Sequence, residues 1–198
     1  MLLKRLSTKL TLEMISSGLV KEEDREVYEY GIEVVAALLI NFLSSVVIFS
    51  VFGMLLEGLL FFAVFFPIRT YSGGHHMESH LGCYILSMAI MLIFVLCIRV
   101  IPESGYLIIS LAFVAFSSLV VILLSPVEDK NRPIDEVERK VYRKKSLRVL
   151  AVELLAFAGL LVLGQERAAL IISMAQAVTA VSMLFALLSR IVNIRRKS

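Results

Sequence analysis

Between Arg69 and Cys83 the chain reads RTYSGGHHMESHLGC, which gathers all three of its histidines, a glycine pair and one of its two cysteines. A cysteine beside a histidine can do acyl chemistry. The thiolate is the reactive form, and an imidazole can take the proton or, as imidazolium, favour the charged sulfur. His80 stands three residues before Cys83, one turn away on a continuous helix and within side-chain reach. His76 stands seven before it, about 10.5 Å along a straight helix axis, too far for a direct hydrogen bond. Gly73-Gly74 permits a sharp turn upstream, however, and Gly82 could end a turn just before Cys83. Spacing therefore leans to His80 and leaves His76 open. The same residues raise a metal site, since His76 and His80 have the i, i+4 spacing of zinc ligands and Cys83 could be a third. The H-E-x-x-H pattern needs glutamate directly after the first histidine, and Met77 is there instead, so no metal and no cofactor is expected. The bland alternative is that a free cysteine is a small packing residue. Cys97, between Leu96 and Ile98, fits that description.

The cluster must be held by very apolar elements. The chain has 198 residues, 59% hydrophobic and 19% charged, with a mean hydropathy of +0.87. Soluble domains are about 45–50% apolar. Charges fall in groups separated by long uncharged runs, as in an integral membrane protein. The net charge of +3 is too small to suggest nucleic acid. No G-x-x-x-x-G-K-[ST] loop occurs, which disfavours an ATP-driven transporter. Six apolar segments are predicted, at about 32–52, 54–68, 83–100, 106–125, 147–163 and 168–189. A span needs about 20 residues, so the second falls short and the number of crossings is four to six. The expected fold is an all-α integral membrane protein made of a single domain over 1–198. At the start, Leu3, Leu6, Leu10 and Met14 recur at helical spacing opposite Lys4 and Thr8, which predicts an amphipathic N-terminal helix within 1–30. It either lies on the membrane surface or packs on the protein itself. No apolar core there is long enough for a cleavable signal peptide.

Lysine and arginine bias sets orientation. The N-terminus, the stretch 126–147 and the C-terminus are basic, whereas the turns IPESG and GQER hold only Arg167. Six crossings put all three basic regions, both termini and the segment 69–82 on the cytoplasmic side. Fourteen residues separate Cys83 from Cys97, about 21 Å on one helix, far beyond the roughly 7 Å limit between disulfide Cα atoms. At least one thiol is free, which suits a reducing compartment.

Two blocks carry a resemblance to a known family. RTYSGGHHMESHLGC matches a pattern of Arg, Gly-Gly, one residue, His, six residues, Cys, and SPVEDKNRPI matches a proline, acidic and Asn-Lys/Arg-Pro block after the fourth hydrophobic segment. With the length and hydropathy they make the chain resemble AgrB, the accessory gene regulator B membrane peptidase of Gram-positive quorum-sensing systems. The resemblance implies Cys83 as catalytic nucleophile and His76, rather than His80, as catalytic histidine. His75 beside it is a partial substitute, and Arg69, at the family's arginine position, is expected to contact the substrate or to serve as a structural contact. It further implies a multi-pass cell-membrane enzyme, a homodimer, that cuts the C-terminal tail from an AgrD-type propeptide. The peptide remains on Cys83 as a thioester until an internal cysteine or serine closes a thiolactone or lactone. Beside that implication, Lys130, Arg132 and Arg143-Lys144-Lys145 could attract an acidic tail or anchor to lipid head groups. An oxyanion would need backbone N–H donors, for which the Gly82-Cys83 turn is a candidate. The rival from another class is a non-enzymatic peptide exporter or channel.

Overall fold

The computed structural model describes residues 2–74, 79–128 and 135–195. They form seven α-helices: α1 (Leu2–Ser16), α2 (Arg25–Val51), α3 (Leu55–Ser72), α4 (His80–Val100), α5 (Tyr106–Leu124), α6 (Glu136–Val162) and α7 (Glu166–Arg195). Among the described residues there is no β-strand. Chain inside lipid must satisfy its own backbone hydrogen bonds, and helices do this within one segment. Five stretches are long and apolar enough to cross a membrane: Glu22–Val51, Leu55–Ser72, His80–Val100, Glu103–Leu124 and Glu166–Val192.

The six expected segments are thus all helical, with two adjustments. The short second segment gains a turn, because α3 continues past Ile68 through Arg69 to Ser72. The fifth is the second half of α6, which runs unbroken from the charged stretch Glu136–Arg148 into the apolar residues up to Val162. Asp135 starts that helix by accepting a hydrogen bond from the Glu138 N–H at 2.6 Å. The charged half keeps α6 out of the five candidate spans.

The central helix is α7, where Ala169, Leu170, Ala175, Ala180 and Met183 are fully buried. It packs against α5, α3 and α6. Small residues let helices approach closely where lipid removes any hydrophobic drive to associate. At one end α2, α3 and α4 meet through phenylalanines, with Phe49–Phe94 and Phe61–Phe94 ring centroids 5.9 and 4.8 Å apart. Gly58 makes room for this cluster, since a Cβ there would land on the Phe49 ring. Arg99 donates to the Phe52 carbonyl (2.7 Å) and Arg167 pairs with Glu57 (2.9 Å) at the same end. Deeper in the bundle, Gln176 of α7 donates to Glu153 of α6 at 2.9 Å and accepts from Ser117 of α5 at 3.4 Å. Buried polar groups need such partners.

Of the two N-terminal possibilities, the structure has α1 packed along α2. Ser7 and Thr11 are buried, whereas Leu6 and Leu10 remain about half exposed and line an apolar groove with α2. The apolar stripe read from the sequence is therefore not the packed face.

Overpacking a tight core costs about 1–3 kcal/mol. Gly58→Ala should lower the stability of the detergent-solubilised protein by that amount, measured as an earlier thermal unfolding midpoint.

Candidate active site

A second cluster of buried residues, Ile68, Val120, Val121, Leu150, Ala180 and Met183, lies toward the end of the bundle where α3 and α5 terminate. There α3 ends at Gly73, whose φ is +75°, followed by Gly74 at +139°. Both values favour glycine, which accounts for the pair. The Arg69 guanidinium reaches down its own helix and donates to the Gly73 carbonyl. A Cβ on Gly74 would land on that guanidinium and close to Ser182 of α7, so the backbone passes hard against both.

Gly73 also forms a single parallel bridge with Val127, and the Val127 N–H donates to the Ser72 carbonyl at 2.9 Å. The two sequence blocks, more than fifty residues apart, thereby meet. The second block is anchored in turn. Arg143 of α6 donates to the carbonyls of Ser125 (2.8 Å) and Ile122 (3.0 Å) at the end of α5, and the hydroxyls of Ser146 and Ser125 lie 2.9 Å apart. Glu128 pairs with Arg139 at 2.8 Å and with Arg190 at 3.5 Å. Lys145 sits over the Tyr71 ring, 5.3 Å from its centroid. Arg143 and Lys145, two of the cations expected to attract an acidic tail or lipid, thus make contacts within the scaffold.

Cys83 lies in the first turn of α4 and is half-buried. The helix begins where Ser79 caps it: the Ser79 hydroxyl accepts from the Gly82 N–H at 3.0 Å and its carbonyl from the Cys83 N–H at 3.0 Å. This corrects two expectations. Gly82 ends no turn, because it is already helical, and the N–H groups of Gly82 and Cys83 are both committed to Ser79. A local serine-capping signal outweighs the freedom of a glycine that has no positive φ to supply.

His80, the first residue of α4, is on the same helix one turn before Cys83, as its spacing predicts. Its Nε2 lies 3.4 Å from Glu33 Oε1 of α2. One turn further on, the Tyr84 hydroxyl donates to Ser44 Oγ of α2 at 3.2 Å. His76, Lys130 and Arg132 lie outside the described residues, as does His75. Cys97 is on α4 too, packed against the phenylalanine cluster, and both cysteines are free thiols. Sequence reasoning missed Glu33, Ser79 and the pairing of Gly73 with Val127. Ser79 had a signal, a serine immediately before an apolar helical run. Glu33 had a weaker one, a lone carboxylate in YGIEVVAALL.

The family profile described as Accessory gene regulator B matches residues 4–189. A Clostridium perfringens (strain 13) protein catalogued as AgrB-like protein 2 is 31% identical over 158 residues, 74% of this chain and 72% of its own. A protein of strain SM101, also catalogued as AgrB-like, has the same identity and coverage. One from Listeria welshimeri, so catalogued too, is 26% identical over 133 residues, 64% of this chain and 63% of its own. No solved structure matches the chain. The matched span takes in both sequence blocks, the glycine turn and the helix that carries Cys83. The chain belongs to the accessory gene regulator B (AgrB) family, multi-pass membrane proteins of the quorum-sensing system from which the family takes its name.

Proposed function

We propose that this protein is a membrane cysteine endopeptidase that trims an AgrD-type propeptide and transfers the remaining acyl chain to a nucleophile within the same peptide. The observation that carries this reading is the setting of Cys83. It is a half-exposed thiol on the first turn of a membrane helix, at the bundle end where both family sequence blocks are joined.

In the proposed sequence His76 takes the thiol proton and Cys83 Sγ attacks the scissile carbonyl. The C–N bond breaks, the departing amine takes that proton, and the acidic tail leaves. The thioester on Cys83 is then attacked by an internal cysteine or serine of the substrate. Its proton returns to the Cys83 sulfur as the ring closes, so the enzyme is regenerated without an external reductant or oxidant. A position at the edge of the bilayer slows competing hydrolysis, and holding the second nucleophile close supplies much of the rate. With Gly82 and Cys83 committed to Ser79, oxyanion donors come from other groups. The N–H groups of His80 and Leu81 have no acceptor within the helix by position.

The basic surface serves recruitment in this reading. Arg143, Lys145 and Arg139 are tied to the scaffold, which leaves Lys130, Arg132 and Lys144 for the acidic tail, with Arg69 supporting the turn. In this reading the basic termini and the 126–147 stretch mark this end as cytoplasmic, with the apolar second half of α6 serving as a sixth crossing.

Co-expression with a propeptide tests the chemistry. Cys83→Ala should abolish cleavage, and His76→Ala should slow it by several orders of magnitude, with uncut precursor accumulating in both. The His75→Ala/His76→Ala double variant removes any substitution by the neighbouring imidazole. Cys97→Ala should cut at close to the wild-type rate. A transporter without peptidase activity would leave the precursor uncut in every version, wild type included.

Recruitment is tested separately. Neutralising Lys130, Arg132 and Lys144 together should raise the half-saturating substrate concentration, by up to about fivefold per charge, with Cys83 alkylation unchanged. Cleavage that is indifferent to these changes at limiting substrate would exclude the electrostatic role.

A further inference from the structure

Glu33 is the one carboxylate of the first apolar run, and ionisable groups in such a run persist where they have a partner and a task. Its partner is His80, at 3.4 Å. The pair joins two helices at a particular place: the α4 residue involved is the first of the helix and stands one turn before Cys83. Side chains are 23% exposed for Glu33 and 40% for His80, and ion pairs so open to solvent contribute little to stability. A stabilising role is therefore a poor account of the carboxylate. A geometric role fits better, because the first turn of a helix is its least pinned part. Upstream, α4 is tied by the Ser79 cap alone among the described contacts of that turn, and α2 supplies the lateral contacts through Glu33 and, one turn later, Ser44.

We propose that Glu33 is a positioning residue for the chemistry at Cys83, acting through His80: the 3.4 Å contact between the two side chains braces the first turn of α4 against α2 and sets where the thiol points. The inference rests on the peptidase reading above and deepens it. It assigns His80, which spacing alone favoured as the proton acceptor, to a mechanical role beside His76. A nucleophile displaced by about 1 Å loses on the order of a hundredfold in rate, so a brace of small energy carries a large kinetic effect.

A cation at position 80 opposite Glu33 can hold the two helices together without an imidazole, and this makes the brace separable from acid–base catalysis. Glu33→Gln and His80→Gln should each lower kcat for propeptide cleavage about ten- to hundredfold, with KM nearly unchanged. The rate at which a maleimide labels Cys83 should change in the same variants while the thermal unfolding midpoint stays put. His80→Lys keeps a cation opposite Glu33 and should cut close to the wild-type rate. The charge exchange Glu33→Lys/His80→Glu restores a pair of reversed sense and should recover most of what Glu33→Lys alone loses. Glu33→Gln cutting like wild type overturns the proposal, as does a folded His80→Lys as slow as His80→Gln, which would make the imidazole itself the active group. Should the exchanged pair fail to fold, the single variant His80→Lys still decides. Wild type and Cys83→Ala run alongside keep the two readings apart. A wild type that cuts no propeptide removes the peptidase reading, and maleimide labelling of Cys83 across the same variants still reports on the brace.

Discussion

Joining Gly73 to Val127 is the contact on which the end of the bundle next to Cys83 depends. Inside a membrane bundle a backbone leaving one helix must find hydrogen-bond partners before it enters the next. Here the chain leaving α3 finds them in the segment that follows α5. Glycine is required at 73 and 74 because the backbone takes positive φ and passes against Val127, Arg69 and Ser182 with no space for a Cβ. The Arg69 guanidinium closes the same turn from the helix side, and Arg143 secures the other strand of the junction by capping α5. Arg69 and Arg143, with Gly73 and Gly74, are thus parts of one folded corner.

The rest of the bundle keeps that corner in place. Packing of the long, small-residue helix α7 against α3, α5 and α6 forms the rigid body, and the phenylalanine cluster locks α2 and α4 to α3 at the far end. Apolar residues on the flanks of α2 and α4, such as Leu38, Leu43, Leu92 and Leu96, remain outward, as suits contact with lipid. The Glu153–Gln176–Ser117 chain fixes the register of α5, α6 and α7 where directional bonds, unlike dispersion, tolerate little sliding. Among the described residues, polar contacts link α2 and α4 at the turns around Cys83 and, at the far end, where Arg99 donates to the Phe52 carbonyl that ends α2.

In the proposed reaction a thiol on a rigid helix end holds the acyl group while the substrate's own second nucleophile is held close, and partial exclusion of water protects the thioester between the two steps. Capping by Ser79 draws the Gly82 and Cys83 amides into the helix and so gives up two donors to hold the thiol steady. Arg139, Arg143 and Lys145 make contacts within the protein while remaining, like Lys144, exposed at its surface.

By itself the sequence determined the fold class, because runs such as 32–52 and 106–125 are too apolar for water and have one low-energy conformation in lipid, the helix. It also determined the separateness of Cys83 and Cys97, since helical rise puts fourteen residues far beyond disulfide reach, and the turn at Gly73-Gly74, since two consecutive glycines before a polar cluster have few other uses. These are local properties, carried by composition, spacing and backbone chirality. Tertiary structure alone decided that Val127 pairs with Gly73, that Glu33 faces His80, that Arg143 caps α5 rather than standing in solvent, and that Ser7 and Thr11 rather than Leu6 and Leu10 are buried by α1. Each of these depends on which helices become neighbours and at what rotation. That choice is a sum of many weak packing contacts between distant segments, and no short stretch of the chain contains it.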